Sequence, residues 1–122
     1  MWIFSKIGFF SVVEHKDDPD LVMVRARYKE DIDRLHHAIM DFSKVDLPVE
    51  RTLNADYYFR MTIPKMTWAR IMEAVAADID YTNFKNAVHH MEPGVRAKAY
   101  MEVWDAMRRS QDVAFDPRPL LG

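Results

Sequence analysis

Residues 56–88 read DYYFRMTIPKMTWARIMEAVAADIDYTNFKNAV, and this stretch holds the most regular strand pattern and the most regular helix pattern of the chain. Over residues 57–63, successive side chains alternate between two sides with the period of a strand. Pro64 cannot donate an amide hydrogen bond, so it ends the strand and suits the entry to a helix. Over residues 68–79, apolar side chains recur at the spacing of one helix face. The stretch therefore predicts a strand followed directly by an amphipathic helix.

A strand hairpin is predicted upstream of this stretch. Residues 9–15 are rich in strand-forming side chains, and residues 16–19 read KDDP, a turn signal. Residues 21–28 then alternate between two sides. The side chains expected to face the core are Val22, Val24, Ala26 and Tyr28. The side chains expected to face away from it are Leu21, Met23, Arg25 and Arg27. Residues 2–4 also look extended, and Gly8 would permit a turn before residue 9.

Three more helices and one weak strand complete the predicted elements. Negative charge at Glu30 and Asp31 suits the first turn of a helix, after which apolar residues follow at helical spacing. Residues 49–53 form a weak strand. A short helix bears Phe84 and Val88, and the last helix covers residues 95–111.

This order of elements predicts an α+β fold. We expect a four-stranded antiparallel sheet in a permuted ferredoxin-like arrangement, ββαββα, with two additional C-terminal helices. The predicted strand order across the sheet is first, second, fourth, third, which short right-handed connections permit. Residues 1–111 would form a single domain, and residues 112–122 would form a flexible tail.

Composition narrows the classes of function. The chain has 122 residues, a formal net charge of −2 and no cysteine. The absence of thiols excludes zinc-finger and redox chemistry, and the charge offers no general attraction to nucleic acid. The uncharged run at residues 7–13 is too short to span a bilayer. We therefore expect a cytoplasmic protein without cofactor, metal or membrane partner.

The sheet face turned away from the helices carries the candidate binding residues. If the second and fourth strands are neighbours, this face collects six side chains, joined by Ser11 or Val12. The six are Met23, Arg25, Arg27, Tyr58, Arg60 and Thr62. An open sheet with arginines and aromatic rings is also how RNA-recognition domains hold single strands. Binding of RNA or single-stranded DNA on this face is therefore one alternative.

Two other polar clusters invite functional interpretations. The segment from Asp80 to Lys85 could serve a small-molecule enzyme or sensor, but helix capping explains it as well. The tandem histidines at 36–37 and 89–90 suggest a metal, yet adjacent helical residues point about 100° apart and cannot chelate one ion from one face. Neither cluster forms a complete catalytic or metal-binding constellation.

Three segments together carry a resemblance. They are MWIFSKIGFFSVV at the start, DYYFRMTIPKMTWARIM in the middle, and IDYTNFKNAV followed by the helix with YMEVWDAM. In order and content they resemble a group of short, uncharacterised bacterial and phage-borne proteins that share the MW-x-F opening, GF-x-SVV and DY-x-NFK. The resemblance covers most of residues 1–108 and implies no activity or site residue.

The leading hypothesis is a small non-enzymatic interaction protein. It would bind a protein partner, or a second copy of itself, through the open sheet face or the C-terminal helices. A role as a phage modulator of a host complex is one version of this hypothesis and rests on the resemblance alone.

Overall fold

The fold is described from a computed structural model, which describes residues 1–115. The chain divides into two compact units, Met1–Ile79 and Asp80–Gly122. The single domain over residues 1–111 stays a prediction. Of the predicted tail, residues 112–114 form the end of the last helix, and residues 116–122 lie outside the described residues.

The first unit is an antiparallel sheet of five strands with two helices. Its elements are β1 (Trp2–Ser5), β2 (Gly8–Glu14), β3 (Leu21–Ala26), α1 (Lys29–Ser43), β4 (Glu50–Arg51), β5 (Phe59–Pro64) and α2 (Lys65–Ala77). The strands lie in the order β1-β2-β3-β5-β4. The class is α+β as predicted, but the sheet agrees only roughly with the predicted four-stranded arrangement.

The extra strand is β1, which pairs with β2 along the edge of the sheet. Trp2 lies opposite Ser11, and Ser5 lies opposite Gly8. The Met1 amino group donates to the Val12 carbonyl oxygen at 2.8 Å and continues the ladder by one residue. Residues 2–4 looked extended from sequence, but only this pairing makes them part of the sheet.

One face of the sheet forms the hydrophobic core with both helices. The buried side chains come from every second position of β2, β3 and β5, as expected for a sheet with one covered face. They meet one apolar stripe from each helix. The core consists of Phe10, Val12, Val22, Val24, Ala26, Ile32, Leu35, Ile39, Met61, Ile63, Trp68 and Ile71. Trp68 lies edge-on to Phe10, with ring centroids 6.0 Å apart.

A buried carboxylate ties the first hairpin to α1. Asp31, in the first turn of α1, is fully buried. Its Oδ2 accepts a hydrogen bond from the Phe9 backbone N–H at 3.0 Å, and its Oδ1 accepts from Arg34 Nη2 at 2.7 Å. Arg34 Nε donates to the Ile7 carbonyl oxygen at 2.9 Å. Asp31 and Arg34 together hold the turn between β1 and β2, and we call them the hairpin clamp.

The boundaries of the central strand and helix differ from the predicted ones. Strand β5 begins at Phe59, so Tyr57 and Tyr58 precede it, and α2 ends at Ala77. Ile79, predicted as the last core position of that helix, is 57% exposed. The apolar spacing in the sequence continues to Ile79, but the chain is no longer helical there, so this side chain does not join the core.

The second unit contains two helices, α3 (Phe84–Met91) and α4 (Val95–Ala114). The Asn83 side chain caps α3 by accepting a hydrogen bond from the Asn86 backbone N–H at 3.0 Å. Phe84 stacks on Tyr100 with ring centroids 6.0 Å apart, which joins the two helices. Within residues 1–115, none of the helices combines the length and apolar character needed to cross a membrane.

Candidate functional site on the open sheet face

The sheet surface opposite the core carries two central cross-strand rows of side chains, flanked by the pairs Phe4–Phe9 and Leu21–Pro64. Cα pairing places the first row across all five strands and the second across β2, β3 and β5. The first row is Trp2, Ser11, Arg25, Arg60 and Glu50. The second row is Val13, Met23 and Thr62. We call these two rows the open face, because α1 and α2 both pack on the other side of the sheet.

Two arginines lie directly opposite each other in the middle of this face. Arg25 of β3 is the Cα partner of Arg60 of β5, and we call them the arginine pair. Directly opposed like charges destabilise a sheet. Some other feature must hold the two guanidinium groups in place.

Neighbouring polar groups position both guanidinium groups. Arg25 Nη2 donates to Ser11 Oγ at 2.7 Å, and Ser11 is only 1% exposed. Arg60 Nη2 donates to the Tyr57 carbonyl oxygen at 3.3 Å, and Arg60 Nη1 lies 3.8 Å from the Met23 sulfur. These contacts fix the side chains without neutralising either charge.

The Tyr57 ring is the aromatic centre of the cluster. The Cζ atoms of Arg25 and Arg27 lie 4.9 Å and 4.2 Å from its centroid, within the range of cation–π contacts. The tyrosine is only 4% exposed. Arg25 and Arg27 therefore flank one buried ring, and Arg60 contacts the backbone of the same tyrosine; these four residues are called the arginine cluster.

Carboxylates contribute little to this cluster. Within residues 1–115, neither Arg25 nor Arg60 forms an ion pair, and the Nε atom of each is buried without a hydrogen-bond acceptor. Arg27 pairs with Asp56 at 3.5 Å, and both of these side chains are exposed. Glu50 lies opposite Arg60 in register without forming an ion pair with it. The cluster thus keeps positive charge available to an anion from outside the unit.

A shallow pocket opens beside the cluster. Arg27, Ala55, Asp56 and Tyr58 line an open space of about 410 Å³. Tyr58 is 47% exposed, so its ring is available to a ligand or partner. The pocket extends the open face beyond the end of β3.

Removing one charge of the pair is expected to stabilise the fold. In Arg60→Gln, the loss of like-charge repulsion should raise the free energy of unfolding by roughly 0.5 kcal/mol at low salt. Added salt should reduce the gain, because it screens the repulsion in the unaltered protein. Urea unfolding at two ionic strengths measures this difference. Arg51→Gln, at an exposed position of β4, is the control and should show no gain. An equal change in the free energy of unfolding in both variants would contradict repulsion between Arg25 and Arg60.

The structure places the six residues singled out from sequence in two groups. Met23 and Thr62 are Cα partners, as are Arg25 and Arg60. Arg27 and Tyr58 lie at the end of the face, where they line the pocket. Ser11, rather than Val12, joins them, since Val12 belongs to the core.

Sequence reasoning missed two members of this surface. The alternation of residues 57–63 groups Tyr57 with Phe59, Met61 and Ile63; its ring is buried, but it contacts Arg25 and Arg27. Trp2 is 73% exposed at the edge of the open face. Its position follows from the pairing of β1 with β2, which no local pattern reveals.

The Asp80–Lys85 segment contributes to the structure of the second unit. Asn83 caps α3, and Lys85 Nζ lies 3.7 Å from the centroid of the Trp104 ring. Tyr81 packs against Phe84 with ring centroids 5.6 Å apart. Capping and packing thus account for these three side chains.

The first tandem histidines contact separate carboxylates. His36 contacts Asp46 at 2.7 Å, and His37 contacts Asp41 at 3.2 Å. Asp33 pairs with Lys29 at 2.5 Å. In the part of the chain that the structure describes, no three His, Asp or Glu side chains are grouped as metal ligands would be.

Comparisons with known proteins give no family for this chain. No protein-family model matches it, and no curated protein or solved structure matches it either.

Proposed function

We propose that this chain is a small non-enzymatic interaction protein that binds a protein partner through its open face. The arginine pair is the main support for the proposal. Two guanidinium groups stand opposite each other and, within residues 1–115, neither has a carboxylate partner. Natural proteins retain locally unfavourable arrangements chiefly where function requires them. An external partner that supplies negative charge would offset the repulsion.

The residue types around the pair also support a protein interface. Arginine, tryptophan, tyrosine and methionine are enriched at the centres of protein–protein contacts. Trp2, Met23 and Tyr58 provide such side chains beside the arginine pair. Their flat arrangement on a sheet, with each arginine already held by a neighbour, reduces the side-chain entropy lost on binding.

Binding of single-stranded nucleic acid is the second candidate, favoured by the exposed rings of Trp2 and Tyr58. RNA-recognition sheets stack bases on rings of their RNP motifs, located on the sheet itself. Here the central strand, β3, presents Met23 and Arg25, whereas the rings of Trp2, Phe4 and Phe9 cluster on β1 and β2 at one edge of the sheet and Tyr58 lies outside the strands. The geometry therefore fits a protein partner better than a base-stacking platform.

Affinity purification from the native cell tests the proposal. The tagged protein should recover one protein partner in near-stoichiometric amount. In Arg25→Ala/Arg60→Ala the recovery should fall by at least roughly tenfold, the size of effect expected when buried interface arginines are removed. Arg51→Ala/Arg70→Ala removes the same charge from exposed positions elsewhere in the unit and should retain the partner.

Equal recovery by both double variants would contradict a role for the open face. A filter-binding titration with single-stranded RNA separates the second candidate. We expect no retention at low salt; retention that weakens as salt is raised would instead support nucleic-acid binding.

A further inference from the structure

Each guanidinium group of the arginine pair has more N–H donors than its neighbours use. An arginine carries five such donors. Arg25 uses one on Ser11, and Arg60 uses one on Tyr57 and a weak one on the Met23 sulfur. Because both Nε atoms are buried, a ligand can reach only the terminal Nη groups. The pair therefore offers an end-on contact to an oxyanion.

The charge around the pair limits the kind of oxyanion. Arg25, Arg27 and Arg60 supply three positive charges, while Asp56 pairs with Arg27 and Glu50 lies opposite Arg60. One positive charge remains in excess. This balance suits a singly charged carboxylate better than a phosphate group, which carries about two negative charges near neutral pH. The two acidic residues would also repel a segment with many carboxylates.

The second row of the open face, next to the pair, is largely apolar. Met23 lies two residues from Arg25 on β3, and therefore roughly 7 Å away on the same face. Its cross-strand partners are Val13 on one side and Thr62 on the other. A ligand whose carboxylate contacts the arginines would place its neighbouring groups against these side chains.

We infer that the arginine pair receives the carboxylate of a single Asp or Glu side chain, presented by the partner next to an apolar side chain. This inference rests on the proposed function, since it specifies the chemistry of the proposed partner. The Tyr57 ring and the Ser11 hydroxyl hold the Arg25 guanidinium group in advance, and the Tyr57 carbonyl oxygen holds that of Arg60, so binding requires little reorganisation.

Sodium hexanoate is a suitable probe, because it joins one carboxylate to a short apolar chain. Its matched controls are hexanamide, which is neutral, and inorganic phosphate, which lacks the apolar chain. The Nε–Hε resonances of Arg25 and Arg60 and the methyl resonance of Met23 report binding by NMR. We expect saturable shifts with hexanoate and a dissociation constant on the order of 10 mM, typical of so small a ligand. Hexanamide should leave the arginine resonances unchanged, and phosphate should bind more weakly.

NMR titrations of the unaltered protein are sufficient to overturn the inference. Shifts that do not saturate with hexanoate, equal shifts with hexanamide, or tighter binding of phosphate would each contradict it. Arg60→Gln should weaken hexanoate binding at least fivefold, and Arg51→Gln should leave it unchanged.

The hexanoate titration and the affinity purification distinguish failure of the carboxylate inference from failure of the proposed function. If hexanoate does not bind but Arg25→Ala/Arg60→Ala loses its partner, the carboxylate inference is wrong and the proposed function stands. If hexanoate binds but the double variant keeps its partner, the carboxylate site stands and the open face is not where the partner binds.

Discussion

Replacing Gly8 with alanine is expected to lower the free energy of unfolding by about 3–5 kcal/mol. Gly8 has φ +137°, a backbone conformation that L side chains rarely adopt. A Cβ atom at this position would also overlap the carboxyl group of Asp31, which is fully buried and cannot move toward solvent. The free-energy costs of the backbone strain and of the steric overlap with Asp31 therefore add. Since small domains are stable by only about 5–15 kcal/mol, most of the stability margin would be lost.

Gly94→Ala is the matched control for this change. Gly94 also has positive φ, at +107°, but nothing lies within 4 Å of a Cβ built there. It should cost only the backbone strain, about 1–2 kcal/mol. Urea unfolding followed by circular dichroism compares the two variants. Equal losses would show that Asp31 does not press against Gly8.

Replacing Asp31 with alanine is expected to cost about 3–5 kcal/mol, as found when one partner of a buried ion pair is removed. The substitution leaves the Phe9 backbone N–H without its acceptor and takes a carboxylate from Arg34. Both donors lie in the layer between the first hairpin and α1. The loss should therefore be largest for the β1–β2 hairpin, whose amide hydrogens should exchange faster than those of β3 and β5.

Asp33→Ala is the control, two residues away on the same helix. Asp33 forms an ion pair with Lys29 in which both side chains are more than half exposed. Exposed pairs of this kind contribute little, so the loss should stay within about 0.5 kcal/mol. The hairpin clamp would be contradicted if hydrogen exchange in β1 and β2 were the same in both variants.

Local patterns predicted the elements that depend on local periodicity. The alternation in residues 21–26 correctly separated buried from outward side chains, and helical spacing placed Trp68 and Ile71 in the core. Residues 2–4 looked extended, but the place of β1 in the sheet could not be found in this way, because it depends on pairing with β2. Strand β4 is only Glu50–Arg51, shorter than predicted. Strand pairing is non-local, and periodicity does not encode it.

The sequence predicted which residues form the candidate site better than it predicted how they are arranged. Alternation identified which side chains of β3 and β5 face outward. The opposition of Arg25 and Arg60 depends on the register of the two strands, in which Leu21 lies opposite Pro64. Tyr57 was grouped with the alternating side chains of β5 because the alternation was extended backward past Phe59, where the strand begins. Outside the strand, the backbone no longer alternates and the ring turns toward the arginines.

Site-specific photo-cross-linking in the native cell tests most directly whether the open face binds a protein. A photoreactive residue would replace Thr62, in the second row of the open face, or Glu73, at an exposed position of α2. We predict one discrete cross-linked protein from position 62 and none from position 73. Cross-links from position 73 alone, or from neither position, would contradict the open face as the binding surface.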